Sequence, residues 1–126
     1  MDDHLNKESF KCEKIISPTC VNFMTRCRVA NGWYVRAVFS HEGFGSGAFS
    51  ESALYFDDPH EAWDANSVKW EILSPEPRGG IYCCDVPNGW LILATAAGTT
   101  RMGDGSNLAT RFGSITFAPK APTEDA

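Results

Sequence analysis

Basic residues are scarce in this chain: eleven Lys and Arg stand against sixteen Asp and Glu, a formal net charge of −5. Nucleic-acid affinity grows with clustered cations that neutralise phosphates, so this balance excludes a nucleic-acid binder. No apolar run approaches the roughly 18 residues that a membrane span needs. Met1 to Lys11, with Asp2, Asp3 and Glu8, also lacks the cationic, apolar pattern of a signal peptide. The expectation is a soluble, cytoplasmic protein that contacts neither membrane nor nucleic acid.

Catalytic signatures are equally thin. Histidine is limited to His4, His41 and His60, which leaves no evident base for a cysteine nucleophile. Ser46 sits between Gly45 and Gly47 but has no glycine two residues before it, so it is not a hydrolase elbow. The run from Gly43 to Gly47 lacks the Lys-Ser/Thr pair and the helix that follow a phosphate cradle, and it reads as a loop. The five cysteines are odd in number, with Cys83 and Cys84 adjacent, which suits reduced thiols better than a disulfide framework. Cys12, Cys20 and Cys27 lack the C-x-x-C spacing of a zinc site, and free thiols behave as small buried hydrophobes. The reading is a non-enzyme without cofactor or metal.

What the chain does have is size and a repeat. Its 126 residues and 43% hydrophobic content fit one globular domain rather than a disordered chain. An offset of 57 superposes residues 14 to 37 on 71 to 94, with nine of 24 pairs identical. Unrelated sequences would share about one or two, so the chain reads as a duplicated unit. Ile15-Ile16-Ser17-Pro18 falls on Ile72-Leu73-Ser74-Pro75, and Cys27-Arg28-Val29-Ala30-Asn31-Gly32-Trp33 on Cys84-Asp85-Val86-Pro87-Asn88-Gly89-Trp90. Ala53-Leu54-Tyr55-Phe56 matches Ser114-Ile115-Thr116-Phe117 at an offset of 61. The copies span about 13 to 56 and 70 to 117, within a domain at 12–118 flanked by mobile tails at 1–11 and 119–126.

Each copy reads as strands. Asn-Gly between β-branched and aromatic segments signals a hairpin. A three-residue loop, Ala30-Asn31-Gly32, pairs Val29 with Trp33 and Cys27 with Val35, and in copy two Val86 with Trp90 and Cys84 with Ile92, keeping one face apolar in each. Gly32 and Gly89 take the left-handed position of that turn. Ser17-Pro18 and Ser74-Pro75 end the first strand of each copy, since proline cannot donate to a ladder. Residues 58 to 66 have room for one helical turn capped by Asp57 or Asp58. The fold class is all-β: two tandem antiparallel units, about eight strands, forming a single barrel or sandwich with Trp33 and Trp90 as shared core anchors.

The candidate site is the linker between copies, where Asp57, Asp58, His60, Glu61, Trp63 and Asp64 form an acidic, aromatic stretch. Three readings apply. It is a solvated turn, an acidic patch that docks on a basic partner, or a hard-cation site, although the alternating oxygen ligands around a central glycine are missing. Trp63 and Trp70 are either interface hot spots or core residues.

Val86-Pro87-Asn88-Gly89-Trp90-Leu91, followed later by Ile115-Thr116-Phe117-Ala118-Pro119, resembles small phage and prophage proteins that carry a G-G-W-L-V hairpin and a T-F-V-P-D-P-x-H-x-W segment. Phe56-Asp57-Asp58-Pro59-His60-Glu61-Ala62-Trp63 is similar to that second segment. Here asparagine replaces the first glycine and copy two lacks the D-P-x-H-x-W tail. The resemblance implies a phage or mobile-element origin and transfers no catalytic residue. Together these observations lead to an expected non-catalytic protein-binding module, a phage-encoded inhibitor of a host defence protein with a basic surface, acting in the host cytoplasm. A small-ligand or carbohydrate-binding β-domain, with the loops at Gly43 to Gly47 and Gly103 to Asn107 as its mouth, and a virion accessory protein are the alternatives. Oligomeric state stays open.

Overall fold

A computed structural model describes residues 10–19, 21–41, 48–76, 79–101, 103–105 and 107–121. Eight strands follow one another: β1 (Cys12–Ile15), β2 (Phe23–Val29), β3 (Gly32–His41), β4 (Ala48–Asp57), β5 (Glu71–Glu76), β6 (Gly79–Val86), β7 (Gly89–Arg101) and β8 (Asn107–Pro119). They make two antiparallel four-stranded sheets, β1-β2-β3-β4 and β5-β6-β7-β8, one per repeat. The sheets do not close into a barrel and form a sandwich. No helix among the described residues is long and apolar enough to cross a membrane.

Both hairpins turn one residue earlier than the sequence predicts. Val29 pairs with Gly32 and Arg28 with Trp33, leaving a two-residue loop at Ala30-Asn31. Val86 pairs with Gly89 around Pro87-Asn88 in the second copy. The left-handed residues are therefore Ala30 (φ 50) and Asn88 (φ 69), not the glycines. Gly32 and Gly89 are needed for space instead. A Cβ on Gly32 would lie 2.2 Å from the Phe56 carbonyl oxygen and 2.6 Å from the Tyr55 ring, and one on Gly89 would lie 2.4 Å from the Ala118 carbonyl and 2.6 Å from the Phe117 ring. An aromatic from the neighbouring strand covers a strand glycine in each copy. Tyr55 and Phe117 are thus equivalent, so the last strands correspond at an offset of 62 rather than 61.

The two sheets bury opposite faces of the same ribbon. In the first, Met24, Arg26, Trp33, Val35, Ala37, Phe39 and Phe56 turn inward; in the second, Cys84, Val86, Leu91, Leu93 and Ile115 do. Trp33 belongs to the core, whereas its counterpart Trp90 lies half-buried on the outer face, with the Lys120 ammonium 5.2 Å from its ring. The shared Trp33 and Trp90 core is overturned by this parity: side chains alternate along a strand, so the face that packs inward decides which tryptophan is buried. The sheets meet where Phe56 stacks on Phe117 (5.1 Å between centroids) and where the Ile115 amide donates to Ser52 Oγ (3.1 Å). The linker of residues 58 to 70 contributes Trp63 and Val68 to the core, with Trp70 packed against it.

Three smaller expectations also change. β5 continues through Pro75, which pairs with Gly80; an edge strand tolerates a missing donor. The linker's helical turn is a 3-10 turn at Ala65–Ser67, capped by Asp64 rather than Asp57 or Asp58. β8 extends to Pro119, and the Lys120 amide donates to the Asn88 carbonyl (2.9 Å), so the ordered chain passes the expected boundary at 118.

Candidate functional site: the acidic turn and the outer face of the first sheet

The acidic turn is built around Asp58, only 2% exposed. Its Oδ2 accepts from Trp33 Nε1 (2.8 Å) and the Trp63 amide (2.9 Å), and its Oδ1 accepts from the Ala62 amide (2.9 Å). Burial works against its charged form, but the Ala62, Trp33 and Trp63 donors, with Arg28 nearby, outweigh it and hold the carboxyl below its ordinary range. Its backbone is fixed too: the amide donates to the Asn31 carbonyl (2.8 Å), and the carbonyl accepts from Arg28 Nη1 (2.9 Å) and the Glu61 amide (3.1 Å). Glu61 takes φ 50 and pairs with Arg28 Nε at 3.1 Å.

Below the turn, two arginines and two tryptophans interleave. The Arg26 guanidinium lies 3.9 Å from the Trp33 centroid and 4.9 Å from that of Trp63. It donates to the Trp63 carbonyl (2.7 Å) and pairs with Glu13 (2.7 Å). Trp33 and Trp63 meet edge to face at 5.9 Å. A planar cation stacked on indoles and bonded to a carbonyl and a carboxylate satisfies the burial of a charged side chain.

Of the six predicted site residues, Asp58 and Trp63 are therefore internal, and Trp63 is a core residue. Asp57, His60, Glu61 and Asp64 remain exposed, but two of these carboxylates hold the fold: Glu61 pairs with Arg28, and Asp64 accepts from the Asn66 amide. The linker is a locked turn. Trp70 is likewise tied down, its indole donating to the Ile16 carbonyl at 2.8 Å. Among the described residues no group of three His, Cys, Asp or Glu is placed to hold a metal ion.

Among the described residues, one aromatic and charged surface that stays available is the outer face of the first sheet. Cross-strand register sets Cys12, Cys27, Tyr34 and Tyr55 in one row over four strands. Lys14, Thr25, Arg36 and Ala53 form the next, and Phe23, Val38 and Glu51 a third. Tyr34 and Tyr55 are 38% and 43% exposed. Burial and then Asp57 raise the Tyr55 hydroxyl above its ordinary range, keeping it a donor. Sequence reasoning missed this face because it ranked aromatics by linker position. The signal was present in Y-x-R on β3 and E-x-A-x-Y-x-D on β4, both with period two.

Cys12 and Cys27 form a disulfide across β1 and β2, which corrects the all-reduced reading. Counting cysteines could not find it, because the duplication gives Cys84 no partner at the position equivalent to Cys12, where Lys69 stands. Cys20 and the Gly43 to Gly47 loop lie outside the described residues. Cys84 is buried, and desolvation, with Cys83 and Asp85 adding to it, pushes its thiol up to about 12. Cys83 is half-buried and also raised, by burial and then by Glu71 and Asp85. Neither is tuned toward the thiolate that a nucleophile requires.

No family model, curated protein or solved structure is significantly similar to this chain.

Proposed function

We propose that the chain is a non-catalytic protein-binding module that docks on a basic surface of its partner through the outer face of the first sheet. The observation that carries this reading is the Tyr34 and Tyr55 pair, directly opposite one another, exposed, and held on adjacent strands. Tyrosine supplies large contact area with few torsions to freeze, and tyrosine and arginine dominate interface hot spots. Asp57 extends the same file of β4, and a net charge of −5 steers a cationic partner toward it. The similarity of the hairpin and acidic segments to phage and prophage proteins supports an inhibitor of a bacterial host protein. Glutathione keeps cytosolic thiols reduced. An inhibitor acting in the host cytoplasm therefore presents this face with the Cys12 to Cys27 bond open, its edge held by β1 pairing and the Arg26 and Glu13 ion pair.

The test is affinity capture from a bacterial lysate with the parent chain and a Tyr34→Ala/Tyr55→Ala variant, followed by titration of the purified partner at two salt concentrations. The double variant is expected to lose on the order of 100-fold or more in affinity, and Asp57→Asn to slow association and flatten its salt dependence. Equal recovery by a folded double variant overturns the proposal.

A further inference from the structure

The outer face of the second sheet carries a hollow of about 200 Å³ whose lining includes Ser67, Lys69, Glu71, Cys83, Asp85 and Trp90. The first copy of the repeat shows what such a place holds. At the offset of 57, Cys83, Asp85 and Trp90 correspond to Arg26, Arg28 and Trp33. Strand register adds the carboxylate, because Glu71 stands opposite Cys83 as Glu13 stands opposite Arg26. In the first copy this set is complete. The Arg26 guanidinium lies 3.9 Å from the Trp33 centroid and donates to Glu13 through Nε at 2.7 Å, while Arg28 lies 5.1 Å from the same ring. The second copy keeps the carboxylate, the indole and the outlying cation: Lys120 Nζ is 5.2 Å from the Trp90 centroid and 3.5 Å from Asp85. Only the stacked guanidinium has no counterpart. A short thiol stands at its position, and the hollow is bounded by the carboxylate and the indole that Arg26 joins in the first copy. We propose that this hollow binds a guanidinium group supplied from outside the chain, a function separate from docking through the tyrosine face.

Size, charge and shape select that chemistry. At roughly 30 Å³ per water-sized group, the hollow holds about seven non-hydrogen atoms, the size of an arginine side chain. Lys120 answers Asp85, and the ion pairs among the described residues leave Glu71 without an opposite charge, which calls for one positive group. Cys83 brings no charge of its own, since burial and then the Glu71 and Asp85 carboxylates keep its thiol protonated. A guanidinium is planar and weakly hydrated, so it stacks on an indole while donating in its plane to a carboxylate. An ammonium is a strongly hydrated point charge that stacks less well. Lys69 opposes a cation here, but it is exposed and screened by solvent. The same ribbon face is inward in the first copy, where the chain supplies its own cation, and outward in the second, where solvent can deliver one.

The test is an NMR titration of the labelled chain with methylguanidinium, agmatine, n-butylammonium and an end-blocked Gly-Arg-Gly peptide, each to about 50 mM at constant chloride, because single small cations bind in the millimolar range. At least one guanidinium compound is expected to give saturable shifts at Glu71, Cys83 and the Trp90 indole, with n-butylammonium about 5-fold weaker or more. Saturation by agmatine or by the peptide supports the inference, and the tighter of the two tells a free small molecule from an arginine side chain of a partner. Glu71→Gln should weaken the response by about 10-fold, and Lys69→Gln should strengthen it. Cys83→Arg rebuilds the first copy's arrangement with the chain's own guanidinium, so it should keep the fold and abolish the response. Tyr34→Ala/Tyr55→Ala should leave the response intact. The inference is overturned by the absence of a saturable shift with every guanidinium compound, by n-butylammonium binding equally well, or by an undiminished response in folded Glu71→Gln and Cys83→Arg.

Discussion

Asp58 shows how one side chain turns an acidic stretch into a structural joint. Three donors converge on its buried carboxylate, and hydrogen bonds to a charged acceptor contribute more than neutral ones. Asp58→Asn places an amide NH₂ against donors and is expected to cost about 2–4 kcal/mol at pH 7 by urea denaturation. The pH dependence has a defined sign. The folded carboxyl sits below its ordinary 3.8, so its stabilisation is complete above that value and disappears as pH falls through the lower folded value. The stability gap between parent and Asp58→Asn should thus be constant from pH 7 to 5 and close below pH 4; a gap independent of pH would show that the charge contributes nothing. The free thiols Cys83 and Cys84 allow a second check at this scale. With Cys84 at about 12 and buried, iodoacetamide at pH 8 should label Cys83 first and Cys84 only on unfolding, as read by peptide mass mapping.

At the scale of elements, the hairpins show which parts of a repeat are free to differ. Both copies keep asparagine and glycine, yet the left-handed residue is the first loop position in one and the second in the other. Proline at 87 fixes a negative φ and hands the positive φ to Asn88, as a type II turn requires. Ala30 has no such excuse: a left-handed alanine costs about 1–2 kcal/mol. Ala30→Gly is expected to raise the melting temperature, whereas Gly32→Ala, which drives a Cβ into the Phe56 carbonyl and Tyr55 ring, should lower it sharply; calorimetry of the two variants decides. Strand number, order of elements and the duplication were legible because turn residues and alternation are local. Register was not, since the three-residue loop also kept each face apolar, and what separates the options is the aromatic on the next strand, about 23 residues away in copy one. The disulfide was hidden for a related reason: Cys12 and Cys27 become neighbours only once β1 is paired with β2.

The whole molecule departs most from its repeat, because a duplicated ribbon has two faces and each copy has committed to a different one. The residue after the last strand differs in the same sense. Position 58 is an aspartate that accepts from the inward Trp33 indole, and its equivalent, position 120, is a lysine that lies over the outward Trp90. Both amides still bond the turn asparagine of their own copy, at 2.8 and 2.9 Å, so this backbone bond is kept in both copies while side-chain chemistry assigns inside and outside. This predicts an asymmetry that equal core anchors would not show. Trp33 is buried between Arg26 and Trp63, so Trp33→Ala leaves a cavity, strips the stack from Arg26 and takes away one of the two donors to Asp58 Oδ2, at about 3–5 kcal/mol. Trp90→Ala removes a half-buried ring and one cation contact, at about 1 kcal/mol. Urea melts of both variants measure the difference, and the Asp58→Asn/Trp33→Ala pair adds a cycle: the double loss should fall well short of the sum, since both changes remove the same bond. Equal costs for the two tryptophans, or strict additivity in the cycle, would restore a core shared symmetrically by the copies and place Asp58 outside it.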